Sequence, residues 1–350
     1  MKNRKRAMIG ALVALAGAAG LAVAGNAGNR AVPGLLDCTS SSIAASSAAE
    51  LFVPALDGSE LVLSRLRTTG PAPVVEEKTT VARSVSTIAD FNPLSGQYLF
   101  QTHDSSSLEG SEGIVTWLGD SSGRAAPLYR GAGYAQLSPN GKCIAVVDDR
   151  DMLKIVRSDG AALASFGQGA GAIFSSDGSK IAYLRAAPDG AGENHGIEVD
   201  DLRSGEMIAR YNPNGDEYYP LVFSADGKTL FFVANRFKPT ERSDPHNLNR
   251  VNVLALSLER PGASPRLVTA GDTRLPFIAY ARALYLPSGL LALSAGNALW
   301  VVNSQSGKTA SIANRDAPVW TGAGDTLLVR DTANAASSWQ LLNAATLNGL

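Results

Sequence analysis

With 350 residues, 45% of them apolar, the chain holds enough hydrophobic material for one large domain or two of ordinary size. Thirty-one basic against 32 acidic residues leave a formal charge of −1. A balance this even excludes a global field that would gather nucleic acid or hold the chain on an anionic membrane surface.

The first 27 residues read as an export signal. Lys2, Arg4, Lys5 and Arg6 form a basic start, Met8 to Ala24 is small and apolar, and Ala22-Val23-Ala24 fits the small-x-small cleavage rule. The Gly/Ala-rich apolar run makes a weak membrane span, so the expectation is a cleaved signal, no stable span afterwards, and a periplasmic or secreted protein. In such a compartment disulfides persist. The two cysteines, Cys38 and Cys143, either pair, tying the N-terminal segment to the body, or remain as thiols. Residues 28–50 are Ser/Ala/Gly-rich with little periodicity and read as a linker, with 28–49 expected to give a strand that closes the fold by pairing first with last.

From Leu51 to Leu350 short apolar runs alternate with Gly, Asn, Asp and Ser turns, and no long segment keeps helical spacing, which predicts an all-β body. One phrase recurs. Leu221-Val222-Phe223-Ser224-Ala225-Asp226-Gly227-Lys228 leads from one apolar strand into the next, and near-copies stand at Ile173 to Lys180 and at Gln136 to Lys142. Asp177 and Asp226 read as turn caps within it, with glycine at the positive-φ position, and not as catalytic carboxylates. A second phrase, a strand followed by a polar turn ending in glycine, marks Gly70, Gly123, Gly160, Gly205, Gly262, Gly307 and Gly349, about 46 residues apart on average. A repeat of that length with four strands per unit is the signature of propeller blades, because a single four-stranded sheet cannot bury both faces alone. The expectation is one β-propeller over 51–350 with seven four-stranded blades, six or eight being the alternatives because the first and last units are degenerate.

The phrases Phe223-Ser224-Ala225-Asp226-Gly227-Lys228 and Phe174-Ser175-Ser176-Asp177-Gly178-Ser179 resemble the repeat of the periplasmic Tol-system propeller protein and its relatives. Leu51-Phe52-Val53-Pro54-Ala55-Leu56-Asp57-Gly58 and Phe231-Phe232-Val233-Ala234-Asn235 look more like the Tyr-Val-Thr-Asn type of bacterial surface and quinoprotein propellers. The resemblance implies the fold and says little about activity, because propellers host lyases, lactonases, electron-transfer subunits and binding scaffolds alike.

Up-and-down connectivity puts the short turns on one end of such a ring and the longest connections on the other. Those connections carry all three histidines, His103, His195 and His246, and a basic run of Arg236, Lys238, Arg242 and Arg250 around Phe237 and Pro239. Long loops on a rigid scaffold are where binding residues gather, so these seven are the candidate binding residues, for an anionic ligand or a partner protein. No two histidines share a metal-ligand spacing, and Asp148-Asp149-Arg150-Asp151 offers too few oxygens for calcium, so no metal is assigned. Gly-x-Ser-x-Gly, His-Glu-x-x-His, Cys-x-x-Cys and phosphate-loop motifs are absent, and no catalytic residue or cofactor is assigned. The sequence therefore points to an exported scaffold that binds another envelope or exported protein, or a small ligand. The alternative is an enzyme or enzyme subunit, of lyase, lactonase or quinoprotein type, with its site at the channel mouth.

Overall fold

The structure, a computed structural model, describes residues 33–39, 50–70, 72–103, 113–185, 196–211, 217–235, 250–260, 262–269, 275–276, 283–295, 298–333 and 338–347. Their strands form a β-propeller built of consecutive antiparallel sheets. An opening sheet holds β1 (Glu50–Asp57), β2 (Glu60–Arg67) and β3 (Val74–Ala82). The first blade holds β4 (Val85–Asn92), β5 (Gln97–His103), β6 (Ile114–Gly119) and β7 (Ala125–Arg130). Next comes a seven-stranded sheet made of β8 (Tyr134–Leu137), β9 (Cys143–Val147), β10 (Met152–Arg157), β11 (Ala162–Phe174), β12 (Lys180–Arg185), β13 (Gly196–Asp201) and β14 (Glu206–Tyr211). It is two blades in one, because the 13-residue β11 ends the second blade beside β10 and starts the third beside β12.

The fourth blade holds β15 (Glu217–Phe223), β16 (Thr229–Asn235), β17 (Arg250–Ser257) and β18 (Arg266–Leu267), with β19 (Leu275–Pro276) also on β17. The fifth holds β20 (Ala283–Tyr285), β21 (Leu290–Ala295), β22 (Ala298–Asn303) and β23 (Thr309–Ala313). A closing sheet of β24 (Arg315–Trp320), β25 (Thr326–Asp331) and β26 (Ser338–Asn343) ends in a single 3-10 turn.

This corrects the expectation of seven four-stranded blades. Among the described residues five blades reach four strands, and the opening and closing sheets have three each. The reason lies in chain direction. Asn92, at the end of β4, donates to Pro139 O just past β8, so these inner strands run parallel, as first strands of neighbouring blades do. β1 instead runs antiparallel to β4: Phe52 N–H donates to Pro93 O and Val85 N–H to Ser59 O. β1 is thus a second-strand equivalent standing in the innermost place.

Each sheet buries both faces against its neighbours, as the repeat length requires. Leu61 and Leu63 pack on Tyr98 and Phe100, joining the opening sheet to the first blade. Ile197 and Val199 pack on Phe232 and Leu254, joining the third blade to the fourth. The circle closes where Leu51, Val53 and Leu66 of the opening sheet meet Val319 and Leu328 of the closing sheet. That closure is made by apolar side chains, and among the described residues no strand pairs across it. Of the segment expected to supply a closing strand, Pro33–Cys38 is a short 3-10 helix held against the second and third blades. Apart from Thr39, the rest of 28–49, and the expected signal, lie outside the described residues. Among the described residues no helix is long and apolar enough to cross a membrane.

The repeated turns account for their own residues. Ser175 Oγ donates to Asp177 Oδ1 at 2.7 Å, Ser179 N–H donates to the same oxygen at 3.0 Å, and Gly178 sits at φ +65°. Ser224, Asp226 and Gly227 repeat the arrangement, with 2.6 Å from Ser224 Oγ to Asp226 Oδ1 and φ +65° at the glycine. Both aspartates are cap residues, which is the structural role their spacing implied.

Candidate functional site

The two ends of the ring differ. One end carries the hairpin turns after β8, β11 and β15, each five residues long and pinned by its own Ser and Asp or Asn side chains. The N-terminal 3-10 helix caps the same end. Asn140 Nδ2 donates to Asp37 O at 2.8 Å, Leu35 and Cys38 are buried, and a disulfide joins Cys38 to Cys143 with their Cα atoms 5.3 Å apart. Gly178 faces Cys38 O so closely that a Cβ there would collide with it.

The opposite end receives the connections that leave β5, β12 and β16, the second strands of the first, third and fourth blades. His103 is the last residue of β5, paired in register with Ile114 and exposed. Arg250 is the first residue of β17, in register with Pro276. The two therefore share this end but stand on different blades, and the structure brings neither to the other. His195, Arg236, Lys238, Arg242 and His246 lie outside the described residues. Among the described residues no cluster of three His, Cys, Asp or Glu side chains is arranged to hold a metal.

Two features escaped the sequence reading. The first is an ionic cluster in the seam between the second and third blades. Glu198 on β13 is 1% exposed, and its carboxylate meets Arg185 Nη1 of β12 at 2.8 Å and Arg210 Nη2 of β14 at 2.8 Å. The register places Glu198 directly opposite both Tyr183 and Arg210, so three adjacent strands aim at one point. Tyr183 Oη lies 3.0 Å from Glu198 Oε2 and 3.0 Å from Asp200 Oδ2. A hydroxyl has one proton to give, so both contacts are hydrogen bonds only when one of the two carboxyls is protonated. Burial, with the Glu198 charge beside it, accordingly pushes the Asp200 carboxyl up to about 6, although the Tyr183 hydroxyl works the other way. Burial and the same two carboxylates raise the Tyr183 phenol well above its ordinary range. Phe166 of β11 closes over it, ring centroids 5.8 Å apart.

The second is a cavity of about 340 Å³ where the opening sheet, the first blade and the closing sheet meet. Val53 to Leu56 of β1 and Ile88 to Phe91 of β4 form two walls, and Arg330 of β25 with Trp339 of β26 forms the third. Arg330 and Trp339 are direct cross-strand partners. Asp90 is fixed by the Leu137 N–H, which donates to its Oδ2 at 3.0 Å. Among the described residues the opening sheet has no first strand, and the hollow lies where one would stand.

By contrast Asp148, in the acidic turn weighed for calcium, is fully engaged. Lys154 Nζ approaches its Oδ2 at 2.6 Å, and Arg150 and Met152 N–H groups donate to Oδ1 at 2.9 Å each. Burial works to raise this carboxyl, and the Lys154 ammonium with the two backbone donors outweighs it, holding the group below the usual carboxylate range.

No protein-family model matches the chain, and no curated protein matches it. Solved structures do. The chain is similar to Kuenenia stuttgartiensis hydrazine synthase, with a TM-score of 0.55 and 12% identity over 83% of this chain and 93% of that one. It is also similar to the tricorn protease, with a TM-score of 0.49 and 16% identity over 80% of this chain and 32% of the other. A third likeness is to a chain of the nidogen/laminin complex, with a TM-score of 0.45 and 14% identity over 75% of this chain and 92% of that one. At these identities the first likeness speaks for the fold alone, and the chain is a β-propeller by its sheets and by that likeness together.

Proposed function

We propose that this chain is an exported β-propeller that serves as a binding scaffold, presenting the connections after β5, β12 and β16 to a protein or ligand partner. The observation that carries this reading is the contrast between the two ends. The longest connections, 104–113, 186–195 and 236–249, all leave from one end, while the other is closed by short pinned turns and a disulfide-tied helix. Candidate contacts within those connections are His103, His195, His246, Arg236, Lys238, Arg242 and Arg250.

The test is recovery of a partner from an envelope fraction on the full chain, compared with a variant whose residues 236–249 are replaced by a short Gly-Ser link. Loss of recovery with an unchanged melting temperature supports the reading; equal recovery by both overturns it for that loop. A second reading takes the ring as the propeller subunit of an enzyme, which the hydrazine synthase likeness supports only at the level of fold. Co-purification of a subunit carrying a redox cofactor would decide for it.

A further inference from the structure

We infer that the cavity between the opening sheet, the first blade and the closing sheet is a binding site for a small neutral ring bearing adjacent hydroxyl groups, a monosaccharide or a cyclitol. The site is separate from the loop end and does not depend on it.

The walls decide first what kind of occupant fits. A strand cannot complete this place. β1 is already bridged to the first blade at both ends, by Phe52 N–H to Pro93 O at 3.0 Å and Val85 N–H to Ser59 O at 2.9 Å. Between those bridges Pro54 brings no N–H to the edge. What remains is a hollow of about 340 Å³, half open to solvent, at the small end of the roughly 300–1,000 Å³ range of ligand cavities. Its volume is enough for one ring.

The polar groups decide the chemistry. Asp90 and Arg330 bring one negative and one positive charge to the same hollow. The site as a whole is therefore neutral, and a charged ligand would meet as much repulsion as attraction. A hydroxyl answers both groups at once, donating to the carboxylate and accepting from the guanidinium, and it does so whether or not the two also engage each other. Asp90 is held in place for this by the Leu137 N–H. Trp339 supplies a flat apolar wall for the C–H face of a ring, with Leu56 and Ile88 beside it in the lining.

The experiment is calorimetric titration of the full chain with D-glucose, D-galactose, D-mannose and myo-inositol, with phenylalanine and glycine betaine as zwitterionic controls. One or more of the four polyols should bind. Arg330→Gln should weaken binding about tenfold or more, the worth of a hydrogen bond to a charged group. Ala55→Leu, which fills the hollow, should abolish binding without lowering the melting temperature, so that loss of the site is told apart from loss of the fold. No binding by any polyol, preference for a zwitterion, or polyol binding that survives Ala55→Leu would each overturn the assignment.

Discussion

The seam between the second and third blades and the junction of the closing sheet, opening sheet and first blade are built from similar strands, yet one is cross-linked and the other is hollow. At the seam a disulfide, two arginines, two carboxyls and a tyrosine fill the space between apolar faces. At the junction Leu51, Val53, Val319 and Leu328 pack well on one side, but on the other no strand stands among the described residues and about 340 Å³ stays open. The difference teaches that, among the described residues, the inner place of a sheet can stand without a first strand when the flanking strand is hydrogen-bonded to the next blade at both ends, as β1 is through Phe52 and Ser59. Buried charge is tolerated on the opposite condition, that each charge finds its partner in the neighbouring register.

The comparison can be broken at the cross-linked side first. Replacing both Cys38 and Cys143 by Ser opens a loop with a sequence separation of 105, and should cost ~4–5 kcal/mol by the chain-entropy estimate. Chemical denaturation of the oxidised protein and the double variant measures it, and a cost near zero would show that the N-terminal helix is incidental. Glu198→Leu leaves Arg185 and Arg210 facing an apolar group. A loss of ~3 kcal/mol is expected, at the low end for breaking a buried pair because both arginines are about half exposed.

Asp200 acts in the other direction. Its folded carboxyl titrates at about 6, above the 3.8 of the free group, so ionisation opposes folding. The penalty is absent below about pH 4, grows as pH rises towards 6, and is complete above it. Asp200→Asn should therefore stabilise the fold at neutral pH by up to ~3 kcal/mol, for a shift of about two units. It should also flatten the dependence of melting temperature on pH between about 4 and 6. A variant that melts lower than the parent at pH 7.5 would contradict the shared-proton geometry. The smallest effect belongs to the hollow side: Ala55→Leu should raise stability by ~1 kcal/mol by filling space.

Much of the fold was legible because its determinants are local. Ser175, Asp177 and Gly178 specify a hairpin turn within four residues, and the regular return of such turns counts the repeats. The strand tally failed at the two ends, where β1 reads like any alternating strand and only its antiparallel run beside β4 reveals that it stands in the inner place.

The ionic cluster was hidden for a different reason. Ile197-Glu198-Val199-Asp200 looks like a strand with one wet face, and in an ordinary half-exposed sheet Glu198 would be solvated. Here the apolar set packs on the fourth blade and the polar set is buried against the second, so the alternation separates two interiors. The cavity left no local trace at all, since Asp90, Arg330 and Trp339 are brought together only by ring closure.

The disulfide-tied helix also gives the ring a heading. Because Asp37 and Cys38 are fastened beside Asn140 and Gly178, the polypeptide enters on the side of the tight turns. A contact made through Asp37 and Cys38 would therefore cover that floor and leave the exposed His103, at the far end of β5, uncovered on the ceiling.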